Sequence, residues 1–153
     1  MLDMFRYNWQ VRQDWFEWCR ELPQEELAKE RTGGMGSILA TLFHVANGEQ
    51  IWINSMQGTP VIIKEGVTSL EEAVEFTELT KPITEQFLQS WNDELAMKTL
   101  TKKRRDGSEI TFTYEKIIKH LIAHEIHHIG QLSIWSREIG CKPVSSDLIF
   151  RNY

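Results

Sequence analysis

Four stretches of the chain repeat apolar residues at helical spacing, and each predicts one long helix. In the first, Leu2, Phe5, Trp9, Phe16 and Cys19 recur at three, four and seven residues, with Met4, Tyr7, Val11, Trp15, Trp18 and Leu22 in an adjoining stripe. Such a helix buries a wide face and stops near Pro23. Arg12 fills the gap in the first stripe, and the simplest reading lays its aliphatic stem along apolar surface. The second helix starts at Ser37, after the loop Gly33-Gly34-Met35-Gly36, and runs through Ile53 before Gly58-Thr59-Pro60 ends it. Its apolar arc is Ile38, Leu39, Leu42, Phe43, Val45, Ala46 and Ile53, while His44 lies on the flank with Ala40, Ile51 and Ser55.

Ser69 followed by Glu72 is a capping-box signature for the third helix, along which Ala73, Phe76, Ile83, Phe87 and Trp91 repeat. Pro82 removes a backbone donor and crowds the preceding turn, so a kink or break is expected near Thr80. From Thr99 to Thr113 polar and apolar or β-branched residues alternate around Asp106-Gly107, which predicts a short β-hairpin. Thr113 caps the last helix, predicted from about Tyr114 to Ile139, with Gly140 and Pro143 as its stop. The expected fold is an all-α four-helix bundle with a short β-hairpin before the last helix. With 153 residues the chain suits one domain, residues 1–153, and is short for two.

Composition narrows the functional classes. A net charge of −5 argues against a broad nucleic-acid surface, and the one basic cluster, Lys102-Lys103-Arg104-Arg105, reads as a solvated hairpin tip. No apolar run approaches the roughly 20 residues of a membrane span, and the start MLDMFRYNWQ lacks the features of a cleavable signal, so a cytoplasmic protein without a membrane partner is expected. Cys19 and Cys141 suggest reduced structural thiols, with neither a disulfide framework nor a cysteine metal site.

The chemistry lies on the last helix. Tyr114, Ile117, Leu121, His124, His128, Gln131 and Trp135 form one seam, in which two histidines stand where hydrophobes are expected. Residues four apart share a helix face, a spacing that suits joint coordination of a divalent metal by neutral imidazoles. The run His124-Glu125-Ile126-His127-His128 also fits H-E-x-x-H, in which a zinc protease uses Glu125 as general base. Neither a familiar third-ligand context nor the usual protease sheet accompanies it. His120 and His127 fall off the seam, the first suited to a supporting hydrogen bond and the second to solvent or an interface. Glu49 and Glu125 are candidate proton-handling or ligand-supporting groups, with a surface position the plainer expectation for each. Gln131 could orient a ligand or satisfy a polar neighbour.

Ser37-Ile38 ahead of His44, then Glu49 and Trp52, then His120-x-x-x-His124-Glu125-x-His127-His128-x-Gly130-Gln131, together resemble the DinB family of metal-binding four-helix proteins. The tail from Arg137 through Gly140 to Asp147-Leu148-Ile149 resembles that family's ending. The resemblance implies that His44 joins His124 and His128 as a metal ligand, which periodicity alone does not indicate. Many family members carry arginine where this chain has Ile129, a change that alters charge but no ligand. Three imidazoles leave coordination positions open, where a divalent ion can activate bound water or a thiol. The resemblance favours a thiol-dependent S-transferase that takes a low-molecular-weight thiol and an electrophile. A metal-dependent hydrolase and a non-catalytic metal-binding stress-response protein are the alternatives. Imidazole sites accept zinc, nickel, iron or copper, with geometry and supply deciding, and zinc or nickel is expected here. A homodimer is one assembly open to such a bundle.

Overall fold

In a computed structural model describing residues 1–153, four long helices form the predicted bundle: α1 (Leu2–Arg20), α3 (Ile38–Gln57), α4 (Leu70–Gln89) and α6 (Tyr114–Glu138). Two short helices, α2 (Gln24–Ala28) and α5 (Asp93–Met97), and a 3-10 turn at Leu148–Phe150 join them. The short pieces lack enough turns to show a periodicity. No helix is long and apolar enough to cross a membrane.

Local chemistry sets the helix starts as expected. The Ser37, Ser69 and Thr113 hydroxyls accept from the backbone N–H groups of Ala40, Glu72 and Lys116 at 3.1, 3.2 and 3.2 Å. Each such cap stabilises its helix by about 1 kcal/mol. Gly58, at φ 68°, takes the left-handed turn that ends α3.

One expectation about backbone needs correction. Helix α4 continues through Pro82 instead of breaking near Thr80. Pro82 is exposed and so is Glu78, whose carbonyl loses its helical donor, so water can satisfy it. Strands β1 (Thr99–Lys103) and β2 (Glu109–Thr113) pair antiparallel, Thr99 opposite Thr113 and Lys103 opposite Glu109. The hairpin thus spans the expected residues, Thr99 to Thr113, with five residues around Asp106-Gly107 joining the strands.

Helix α1 packs on α4 and α6, and α3 packs on the same two, so α1 and α3 face each other diagonally. The interior divides by height. One apolar cluster joins Val11, Trp15, Phe16 and Cys19 to Leu39, Leu42, Leu132 and Trp135, and another joins Phe5 and Trp9 to Ile53, Met56, Ile118 and Leu121. Each fully buried large side chain contributes about 1.5–3 kcal/mol. Between the clusters lie the buried polar residues Arg12, Glu49 and Glu125.

Candidate metal centre

Arg12, on α1, reaches two other helices. Its Nε and Nη2 donate to the two Glu125 oxygens at 2.8 and 2.7 Å, and Nη2 also donates to Glu49 at 2.7 Å. Trp9 Nε1 donates to the Glu49 carboxylate at 3.2 Å. Arg12, Glu49 and Glu125 are all buried, at 1%, 4% and 3% exposure. The arginine head is thus the centre of an ion network, where sequence suggested only a stem on apolar surface. Glu49 and Glu125, expected at the surface, are interior. Burial alone would lower the Arg12 pKa, but Glu125 and then Glu49 hold it above its ordinary value. Burial raises the Glu125 carboxyl pKa against the pull of Arg12.

A signal for this network was present. Leu42, Ala46, Glu49, Ile53 and Met56 keep strict three-four spacing, as do Ile118, Leu121, Glu125, Ile129 and Leu132. Each carboxylate stands in a stripe of core positions, and a charge there requires a buried partner.

The three candidate histidines converge beside this layer. Helix α3 supplies His44 and α6 supplies His124 and His128, and His124 Nε2 lies 3.0 Å from His44 Nε2 and 3.1 Å from His128 Nε2. Ligand atoms of the three residues lie within 4.8 Å of one another. Gly48, one turn beyond His44, faces the His124 ring, where a Cβ would meet Cε1 at an ordinary contact distance of 3.5 Å.

Hydrogen-bond chemistry fixes one ring. Gln131 Oε1, 2.7 Å from His128 Nδ1, can only accept, so Nδ1 carries the proton and the Nε2 lone pair faces the cluster. The same amide offers its Nε2 to His127 at 3.2 Å. Gln131 therefore orients His128 and links it to exposed His127. Gly34 presses on that amide from the loop before α3: at φ 53°, a Cβ there would lie 2.8 Å from Gln131 Oε1 and from Trp135. His120 makes no supporting hydrogen bond of the kind expected. Its ring packs against His124 and Trp52, with centroids 5.6 and 6.4 Å apart.

Burial lowers the pKa of all three converging rings, that of His124 to about 4, with His128 and His44 adding to its shift. At neutral pH they are neutral ligands with lone pairs. Ligand bonds of about 2.0–2.1 Å around a tetrahedral ion put neighbouring nitrogens about 3.3 Å apart. The two pairs that include His124 come within a few tenths of an ångström of that spacing and the third lies within 4.8 Å, so the three imidazoles could hold a divalent ion. Neither cysteine shares the cluster; Cys19 is buried in the core, its thiol pKa pushed up to about 12.

The DinB family pattern matches residues 1–153. The chain belongs to the DinB family. It is 39% identical over 153 residues to the uncharacterized protein YizA of Bacillus subtilis strain 168, a match covering 99% of this chain and 95% of YizA. A crystal structure of a DinB-like protein from Bacillus cereus ATCC 10987 superposes with a TM-score of 0.71 at 17% identity, covering 94% of this chain and 93% of that one. That likeness supports the fold alone. Family and bundle both agree with the sequence reading.

Proposed function

We propose that this DinB chain binds one divalent transition ion through the Nε2 atoms of His44, His124 and His128, and uses it in thiol-dependent S-transfer. The observation that carries the metal reading is the convergence of three imidazole nitrogens that cannot satisfy one another. His124 Nε2 faces two neighbours of its own kind at hydrogen-bond distance, one of them presenting a lone pair. A single ring proton points at one neighbour and leaves the other close contact without a linear hydrogen bond, whereas one cation satisfies all three. Zinc and nickel both suit the donor set.

A divalent ion there supplies positive charge that favours the thiolate form of a bound low-molecular-weight thiol. The chain's own residues prepare the place. Burial keeps the rings unprotonated, Gln131 aims His128, and α3 and α6 bring the ligands together. Hydrolysis with Glu125 as base is less favoured, because both Glu125 oxygens already receive hydrogen bonds from Arg12. The absence of a cysteine at the cluster favours a thiol brought as cosubstrate.

Conjugation of small thiols to an electrophile such as 1-chloro-2,4-dinitrobenzene tests the reading, using zinc- or nickel-loaded protein, chelated protein and His128→Ala. Thiol-dependent product formed by the loaded wild type and lost in the other two is the expected result. Equal rates in all three eliminate metal-dependent transfer, while metal binding without conjugation across a broad thiol and electrophile panel favours the non-catalytic alternative. Ester or amide cleavage confined to the loaded sample favours the hydrolase.

A further inference from the structure

Beside the histidine cluster a second recess opens between α3, β2 and α6. It has a volume of about 180 Å³ and is lined by Trp52, Phe112, Lys116, Ile117 and His120. Trp52 and Phe112 meet edge to face, their centroids 6.1 Å apart, and Ile117 is buried. A dry cavity of about 150 Å³ accepts benzene, so a recess of this size takes one aromatic ring. The hairpin supplies Phe112 from β2 as one wall, and the Lys102 ammonium of β1, not itself a lining residue, lies 4.6 Å from the Trp52 ring centroid.

Charge distinguishes this recess from an ordinary apolar dent. Lys102 Nζ donates to Ser55 Oγ at 3.1 Å, and Lys116 Nζ lies 5.9 Å from the Phe112 ring centroid. Neither ammonium belongs to one of the chain's ion pairs. In a chain of net charge −5, two cations without carboxylate partners flank the same aromatic walls. Lys102, expected at a solvated hairpin tip, is half-buried against them. His120 joins the recess to the cluster, since it lines one and packs against His124 in the other.

We propose that this recess is a binding subsite for a small aromatic acid, with its ring packed against Trp52, Phe112 and Ile117 and its anionic group drawn by the ammoniums of Lys102 and Lys116. The aromatic walls and Ile117 supply apolar contact, and the ammoniums select a carboxylate or sulfonate over a neutral substituent. Binding there needs none of the three converging histidines, so the subsite stands apart from the metal reading.

Benzenesulfonate and phenylacetate are suitable probes. Each is titrated into ¹⁵N-labelled full-length protein, with the Trp52 indole N–H signal assigned from Trp52→Phe and followed in metal-free wild type, His128→Ala and Lys102→Ala/Lys116→Ala. The expected result is a saturable Trp52 shift with either acid, retained in His128→Ala, and weakened roughly tenfold in the double lysine variant. Benzyl alcohol, which has the ring without the charge, should bind several-fold more weakly than phenylacetate, and acetate should give no saturable shift. No saturable shift with either acid, equal affinity for benzyl alcohol and phenylacetate, or undiminished acid binding in the lysine variant overturns the proposal. Loss of metal in His128→Ala with acid binding intact would separate this subsite from the metal centre.

Discussion

Two polar clusters occupy the middle of the same bundle, and they differ in whether they are complete. Around Arg12 every carboxylate oxygen meets a donor: Nε and Nη2 of the guanidinium serve both carboxylates, and Trp9 adds a further contact to Glu49. Around His124 the nitrogens face one another, with too few protons to pair them. The complete cluster joins α1, α3 and α6 at the boundary between two apolar clusters. The incomplete one sits on α3 and α6 alone, where a ligand can finish it. Charge and burial alone would favour Arg12 and its glutamates as the functional centre; counting donors against acceptors reverses that choice.

The largest effect should come from breaking the complete cluster. Arg12→Met leaves two carboxylates buried without their cation and should lower stability by about 3–5 kcal/mol, read from urea unfolding. Adding Glu49→Gln and Glu125→Gln removes the uncompensated charge and should recover at least half of that loss. A single variant as stable as wild type, or a triple variant no better than the single, would contradict the structural role assigned to the network.

Gln131 sharpens the comparison because it connects ordinary hydrogen bonding to the incomplete cluster. Gln131→Leu should leave the fold intact and weaken zinc or nickel by about 10–100-fold in a competition titration with a chromophoric chelator, the range typical of groups that orient metal-bound histidines. Gly34→Ala should weaken it in the same direction, since its Cβ would displace the Gln131 amide. His127→Ala, removing an exposed ring beyond that amide, should change affinity by less than about fivefold. Unchanged affinity in Gln131→Leu would remove the orienting role.

A smaller effect concerns pH in the metal-free protein. Burial lowers the pKa of His44, His124 and His128 in the folded state, that of His124 to about 4, while an unfolded histidine titrates near about 6.5. The unfolded chain therefore binds more protons between those values. Stability contributed by the neutral rings is present above about pH 6.5 and is lost as pH falls toward 4. Chemical denaturation across that window should show a decline, shallower in His124→Ala. An identical slope in the variant would sever the link to the cluster.

Much of the bundle was legible because caps and apolar spacing act locally. Ser37, Ser69 and Thr113 marked helix starts, and the seam on α6 singled out His124 and His128 before any packing was known. His44 was different: on α3 it lies at the flank of the apolar arc, and only the packing of α3 on α6 brings it to His124. Family resemblance supplied what helical periodicity could not. The Arg12 network was half-legible, for its charges interrupt apolar stripes on three helices, but their meeting depends on tertiary packing. The recess near Trp52 combines residues from α3, the hairpin and α6, and no spacing along the chain relates them.

Metal content is the most direct test of the central claim. Untagged wild type, His44→Ala, His124→Ala and His128→Ala would be incubated with zinc or nickel, dialysed together, and analysed by plasma mass spectrometry, with circular dichroism confirming the helical fold. Wild type should retain about one divalent ion per chain, and each folded variant should lose nearly all of it. Wild type that retains no metal, or folded variants that retain as much as wild type, would contradict the assignment of these three histidines as a metal centre.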